Sequence, residues 1–366
     1  MTLNLQSVRS SSIRLYEAET SPDLIAERYG LDRAGIVDFS LNVNPFGSPP
    51  GAIAAARDAL DSANLYPDLD FGPLRKALAA RHGVTADCLF FGAGLDDVIK
   101  LLIQAWTTPG DNVLVHIPTF PRYELEARIA GCSVVCVENE RPEEIDLAGI
   151  GEKLASGNIA LAFLCTPNNP TGATVGNADI SRLARSAPDT ILIVDEALIY
   201  PREDGAIPLV GEHANICVLR TFSKYFGLAG LRIGYAVAPE RLLRAAEAGR
   251  PPFNMATAAM QAATAALADE QFLPDCKAAF EAEVAHFRQA ISGRDDIAVR
   301  GGNANMLLLD LGGRDAPAVS AALAAQGIVV ADATSFRGLE RHNMLRVSLR
   351  GRADNLKLIS VLETMR

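Results

Sequence analysis

No two cysteines in this sequence stand in a Cys-x-x-Cys spacing, although six are present (Cys88, Cys132, Cys136, Cys165, Cys217 and Cys276). Most lie inside apolar runs, so buried reduced thiols are expected in place of a disulfide framework or a metal site, and with them a reducing, cytoplasmic setting. An excess of positive charge is lacking too: 34 Lys and Arg face 44 Asp and Glu, a formal net charge of -10. That balance argues against nucleic acid or an anionic membrane as the main partner, yet leaves room for a local cationic pocket and an anionic small molecule. Met1 to Ser12 carries no apolar signal core, and no apolar run is long enough to span a bilayer, so a soluble protein is expected. Internal repeats and low-complexity tracts are missing as well.

What is present fits a globular enzyme-sized chain. Hydrophobic residues make up 49% and charged residues 21% of 366 positions, enough for a large core and for one large plus one small domain. Apolar runs at 88–91, 112–116, 133–137, 159–165, 190–194, 216–219 and 233–237 alternate with helical or loop segments. Runs of this length, rich in Val, Ile and Leu, predict strands covered on both faces, and hence an α/β fold with a mainly parallel sheet flanked by helices. After Pro251-Pro252 the pattern changes to a long helical stretch, 256–292, interrupted near Pro274. Strands at 306–311, 328–331 and 344–349 follow, with helices at 316–326 and 354–365. This predicts a small α+β domain, with the chain start folded onto it. The expected division is 46–248 for the large domain, and 1–45 with 249–366 for the small one. Near the start, a helix over 22–29, a strand over 36–41 and helices over 53–63 and 73–82 are expected.

Ligands in such sheets sit at the carboxyl ends of strands, and the chemically suggestive residues mostly follow a strand. The run 216–219 leads into Thr221-Phe-Ser223-Lys224, then a glycine-punctuated turn and Arg232. Taken alone, Lys224 is a surface lysine. In a pocket it is a nucleophile once desolvation or neighbouring cations strip its proton, while Thr221, Ser223 and the Arg232 fork suit an anion such as phosphate. Gly92-Ala93-Gly94-Leu95-Asp96 fails as a dinucleotide fingerprint, because the third glycine position is Asp97. It works as a phosphate cradle, with Gly94 open to close approach and the Leu95 and Asp96 amides at a helix start. Asp195 ends a buried strand, where an acid is either a turn cap or the partner of a buried cation. Asn169, in Thr166-Pro-Asn-Asn169-Pro-Thr-Gly172, sits in a turn that needs no second asparagine. Asn42-Val43-Asn44-Pro45 marks another turn whose side chains, Asn44 included, are candidates for a pocket wall.

Together these segments resemble the fold-type-I pyridoxal-phosphate aminotransferases of class I and II. The likeness is to the histidinol-phosphate aminotransferase and threonine-phosphate decarboxylase branch, and it covers about residue 20 to the C-terminus. The resemblance implies pyridoxal 5'-phosphate as cofactor, with Lys224 as its Schiff-base lysine and Asp195 as the partner of its ring nitrogen. It gives Asn169 to the phenolate oxygen and Phe120 to the ring face. Gly94, Leu95, Asp96, Thr221, Ser223 and Arg232 go to the phosphate, together with Tyr66 from a neighbouring subunit. That last assignment implies a homodimer with a shared active site. Arg346, in Leu345-Arg-Val-Ser348, is implied as the clamp for the substrate carboxylate, beside Asn169 and Asn44. The reaction implied is amino transfer between an amino acid or amine and a 2-oxo acid. Decarboxylation, or a cyclisation or elimination on the same cofactor, is the alternative.

Two positions depart from the pattern. Leu198 stands where relatives commonly carry a tyrosine that also bonds the phenolate oxygen. Without that donor the lysine–cofactor imine is expected to keep its proton to higher pH, unless Tyr200 compensates. Ala331 stands where phosphate-substrate relatives place an arginine. A weaker hold on a phosphorylated substrate is therefore expected, unless Arg14, Arg337, Arg350 or Arg352 substitutes.

Overall fold

The computed structural model describes residues 21–199, 205–302 and 304–365. Its largest element is a seven-stranded sheet in the order β2-β8-β7-β6-β5-β3-β4. The strands are β2 (Leu89–Gly92), β3 (Asn112–Ile117), β4 (Ser133–Glu138), β5 (Leu161–Cys165), β6 (Ile191–Asp195), β7 (Ile216–Thr221) and β8 (Gly234–Val237). β1 (Val37–Asp38) precedes them and belongs to a different sheet. All seven correspond to the apolar runs read from the sequence, most with ends shifted by a residue or two. β3, β4, β5, β6 and β7 run parallel, and β8 is antiparallel to both its neighbours.

The central strands are mostly apolar because both faces are covered, and their side chains alternate between two cores with period two. Leu114, Ala162, Leu164, Leu192, Val194, Ile216 and Val218 face one core; Val113, Val115, Leu161, Phe163, Ile193, Cys217 and Leu219 face the other. Between β1 and β2 come α2 (Pro50–Ala59) and, after a 3-10 turn and a loop, α3 (Gly72–His82). They lie beyond α1 (Pro22–Tyr29), whose bounds match the expected helix. On the second face pack α4 (Leu95–Trp106), α5 (Arg122–Ile129) and α8 (Glu240–Gly249). On the first face, α6 (Leu147–Ala155) and α7 (Asn177–Ser186) join α3.

The smaller unit is a four-stranded sheet, β12-β13-β10-β9, built from β9 (Ala298–Arg300), β10 (Leu307–Asp310), β12 (Ala331–Asp332) and β13 (Met344–Val347). α10 (Phe272–Ile291), α11 (Ala316–Ala324) and α12 (Arg352–Thr364) pack against it around Phe280, Phe287, Leu309, Leu323, Val347 and Leu358. β1 pairs in parallel with β11 (Ile328–Val329), so residues near the chain start do fold onto this unit.

Four expectations change. The strand expected over 36–41 is only Val37–Asp38, because the Asp38 carboxylate takes the amide and hydroxyl of Ser40 and turns the chain. The run 328–331 divides between two sheets, β11 pairing with β1 and β12 with β13. The long helical stretch breaks at Asp269–Gln271, whose Asp269 carboxylate receives the Phe272 amide. Pro274 then falls in the first turn of α10, where its missing N–H costs nothing. Finally, α9 (Thr257–Ala268) packs on α2 and α3 and contributes Ala259, Met260, Ala262 and Ala263 to the large unit's core, although 249–366 was expected wholly in the small one. β9 had no counterpart among the expected strands.

Candidate active site

Parallel strands deliver their carboxyl ends to one edge, and here register brings the chemistry level. Cys165 at the end of β5 lies beside Asp195 at the end of β6, and Asp195 beside Leu219 of β7. Thr221 ends β7 opposite Gly234 of β8, and Gly92 of β2 lies on the other side of the same Gly234. Above this edge is a cavity of about 270 Å³. Its lining includes Leu95, Asp96, Phe120, Asn169, Asp195, Thr221, Ser223, Lys224, Arg232 and Arg346, ten of the residues singled out from the sequence.

One end is a cradle for an anion. Gly94 caps α4 with φ +90, and a Cβ there would fall 2.4 Å from Arg232 Nη2. A Cβ on Gly234 would fall 2.6 Å from the Leu95 nitrogen. These two glycines let the first turn of α4 lie against β8 and the Arg232 guanidinium, leaving amide hydrogens at a helix N-terminus beside a cation. Arg232 itself has φ 54 and lies 3.6 Å from Asp96 Oδ2. Thr221 Oγ1 donates to the Ile233 carbonyl at 3.0 Å and accepts the Ser223 amide at 3.0 Å, which fixes the turn carrying Ser223 and Lys224.

The opposite end is a buried carboxylate. Asp195 Oδ2 accepts a hydrogen bond from Tyr123 Oη at 2.6 Å, and Oδ1 accepts from the Ala197 amide at 2.8 Å. Burial pushes its carboxyl up to about 6, against the downward pull of those two hydrogen bonds. Tyr123 is locked in place by stacking on Phe163, ring centroids 4.5 Å apart and planes 12° apart, with the edge of Phe120 at 5.7 Å. Tyr123→Phe leaves the carboxylate without its phenolic donor. A hydrogen bond to a charged group is worth about 1.5–3 kcal/mol, so the acid limb of the pH–rate profile should move upward by about one to two pH units. Steady-state rates between pH 5 and 8 check this; an unmoved limb refutes it.

Between the two ends, Lys224 Nζ donates to the Asn42 carbonyl at 2.8 Å. Arg346, buried on β13, donates from Nη1 to Asn169 Oδ1 at 2.8 Å and from Nη2 to the Ser40 carbonyl. A short strap, residues 38–48, thus serves both cations. It is pinned to the small unit by Phe39, whose amide donates to Val329 and whose carbonyl accepts the Ser348 amide, both at 2.7 Å. It is pinned to the lysine turn by Ser48 Oγ, which donates to the Gly227 carbonyl at 2.7 Å.

Two candidate residues lie elsewhere. Asn44 faces away from the cavity, its Nδ2 donating to the Tyr225 carbonyl at 2.7 Å and its Oδ1 accepting the Phe46 amide at 2.8 Å. It holds the strap's shape, and Asn42, Val43 and Leu41 form the wall instead. Tyr66 is 82% exposed and stacks on Phe253, centroids 4.6 Å apart, outside this chain's own cavity. Leu198 is buried at the cavity wall against Ala304 and Met306. Tyr200 and Arg14 lie outside the described residues. The sequence reading passed over Tyr123, three residues after Phe120 and in the first turn of α5. It also missed Glu196–Arg220, a buried ion pair at 2.7 Å, one residue beyond the register pair Asp195–Leu219.

The sequence profile described as Aminotransferase class I and II matches residues 34–362. The chain belongs to this family. As an aminotransferase it is similar to the histidinol-phosphate aminotransferase of Methanosphaera stadtmanae, 30% identical over 354 residues, 96% of each chain. The enzyme of that name from Methanococcoides burtonii is 34% identical over 351 residues, 95% of each. Among solved structures, histidinol-phosphate aminotransferase from Sinorhizobium meliloti in complex with pyridoxal-5'-phosphate superposes with TM-score 0.87 at 24% identity, over 99% of this chain and 97% of that one. L-threonine-O-3-phosphate decarboxylase from Porphyromonas gingivalis gives 0.79 at 27%, over 90% and 99%. The fold is that of the pyridoxal-phosphate transferases of fold type I, and the aminotransferase uses pyridoxal 5'-phosphate. The cavity fits that group: a glycine-bared cradle beside Arg232 for the phosphate, a buried carboxylate for the ring nitrogen, and a lysine between them. Among the described residues no helix is long and apolar enough to cross a membrane.

Proposed function

We propose that this aminotransferase works through Lys224, Asp195, Asn169, Phe120, Arg232 and Arg346 in the roles that their places around one cavity support. Bound pyridoxal 5'-phosphate supplies an aldehyde for amine condensation and a ring that withdraws electrons from the bonds at the substrate Cα. Gly94, the Leu95 and Asp96 amides, Thr221, Ser223 and Arg232 anchor its phosphate. Asp195 keeps the ring nitrogen protonated; a buried carboxylate with two hydrogen bonds gains most by facing a cation. Phe120 covers a ring face, and Asn169 Nδ2 is left to bond the ring oxygen while its Oδ1 serves Arg346. Arg346 holds the donor's anionic group bidentately. Lys224, once its amine is free, moves the proton between Cα and the cofactor carbon, with the Asn42 carbonyl holding Nζ in reach.

The observation that carries this reading is the placement of Lys224, Asp195 and Arg232 around one cavity at one sheet edge. The test is to mix cofactor-loaded protein with a panel of amino acids and phosphorylated amines, following near-visible absorbance and 2-oxo acid formation. The names of the curated relatives put histidinol phosphate on that panel. Arg346→Lys should raise the KM of the preferred donor roughly 30- to 100-fold, the loss of a charged two-pronged contact, with the cofactor absorbance unchanged. An unchanged KM removes Arg346 from the donor site.

The active unit we propose is a homodimer. Leu60, Leu65, Tyr66 and Leu69, within ten residues of one another, expose 62%, 65%, 82% and 43% of their surface. A second copy is the occupant that would cover them and bring Tyr66 to the neighbouring phosphate cradle. Sedimentation should give twice the chain mass, and Tyr66→Phe should weaken cofactor retention. All six cysteines are free thiols, which supports a cytoplasmic setting.

A further inference from the structure

Once the cofactor's contacts are assigned, the part of the cavity left for the donor has a definite chemistry. Among the described lining residues the cations are Lys224, Arg232 and Arg346, and the first two belong to the aldehyde and phosphate ends. Arg346 is 1% exposed and cannot swing: Asn169 and the Ser40 carbonyl hold its Nη atoms, and its guanidinium carbon lies 5.6 Å from the centre of the Phe336 ring. Level with it on β12 is Ala331, which brings a methyl group to that place. The next side chain, Asp332, is turned onto the Thr334 amide and hydroxyl, both at 2.9 Å. The rest of the described wall is largely aliphatic: Leu41 and Val43 from the strap, with Asn42 between them, Ala229, and Leu198, backed by Ala304 and Met306.

We propose that the amino donor is an α-amino acid with one carboxylate, held by Arg346, and an uncharged aliphatic side chain packed on Leu41, Val43 and Leu198. This rests on the roles given above to Lys224 and Arg346. A planar guanidinium matches the two oxygens of one carboxylate. A phosphate monoester carries nearly two charges on three oxygens, so part of that charge would be desolvated against the aliphatic side chains of the described wall. A second carboxylate, as in glutamate, meets the same wall. The donor leaves as its 2-oxo acid, the new carbonyl oxygen coming from water, and the amino group passes to a 2-oxo acid acceptor.

The test uses the cofactor-loaded full chain. In single-turnover reactions without acceptor, L-leucine should discharge the near-visible band at least about tenfold faster per mole than L-glutamate or L-histidinol phosphate. Either competitor matching or beating leucine overturns the proposal and leaves aminotransfer itself standing. Calorimetric titration gives a readout apart from turnover: 4-methylpentanoate should bind about tenfold tighter than glutarate or butyl phosphate, and the reverse order overturns the proposal. If no donor discharges the band while 4-methylpentanoate still binds tightest, the aminotransfer reading fails and the character of the pocket is upheld. Leu41→Arg, at a position 42% exposed and so tolerant of the change, adds a cation to the wall. It should raise the histidinol phosphate to leucine ratio about tenfold; a ratio that stays put counts against the proposal.

Discussion

Lys224→Ala should leave a folded protein that binds pyridoxal 5'-phosphate weakly, shows no reducible adduct, and turns over at least about 10⁴-fold more slowly. That magnitude follows from removing both the covalent attachment and a proton carrier already placed beside Cα. Borohydride reduction followed by mass analysis of the peptide carrying position 224 reads the first loss, and steady-state assays read the second. The amine donates to the Asn42 carbonyl, and its turn is held by Thr221 and Ser223 backbone and hydroxyl bonds that alanine does not touch. Retained turnover with a reducible adduct elsewhere would overturn the assignment.

Asp195→Asn should lower the rate about 10²–10³-fold, the range seen when one preorganised electrostatic partner is lost. The amide keeps the shape: its oxygen accepts from the Ala197 amide and its nitrogen donates to the Tyr123 hydroxyl oxygen, so the loss reports chiefly charge. Stability should move the other way. The folded carboxyl, up at about 6, stands above the ordinary 3.8, so its contribution to stability is complete below pH 3.8 and disappears as pH rises through about 6. Cofactor-free wild type therefore carries a buried charge at pH 7.5, costing about 3 kcal/mol at a shift of this size. Cofactor-free Asp195→Asn should melt higher than wild type at pH 7.5 and match it near pH 4. Equal melting temperatures at both pH values would show that the carboxyl is not strained by burial.

Much of this was legible in the residues because the fold is doubly covered. A strand buried on both faces is mostly apolar, so the central strands of the large sheet stand out as runs of Val, Ile, Leu and Phe. The polar residue following such a run is conspicuous for the same reason, as with Asp195 after Leu192-Ile193-Val194. The small unit was less legible because its strands are short and their partners distant in sequence. Nothing local says that Ile328–Val329 pairs with residues near the chain start while Ala331–Asp332 pairs with β13. α9 reads as part of the long helix after Pro252, and only packing against α2 and α3 places it in the large unit. Asn44 looked like a ligand because asparagine in a turn has two uses, bonding its own backbone or facing a pocket. Which it does depends on the Tyr225 carbonyl, 181 positions away. Tyr123 went unnoticed because an aromatic close after another reads as packing until its hydroxyl is seen to meet Asp195.

The strap sets a ruler across the reaction centre. Its Ser40 carbonyl is fastened to the guanidinium of Arg346 and its Asn42 carbonyl to the amine of Lys224, two residues further along. The chain bends here, with the Leu41 amide on the Asp38 carboxylate and the Val43 amide on the Leu41 carbonyl, so one tight turn fixes the two carbonyls relative to each other. A movement of the smaller sheet toward the larger one would pull on Phe39 and so carry the lysine's resting acceptor with it.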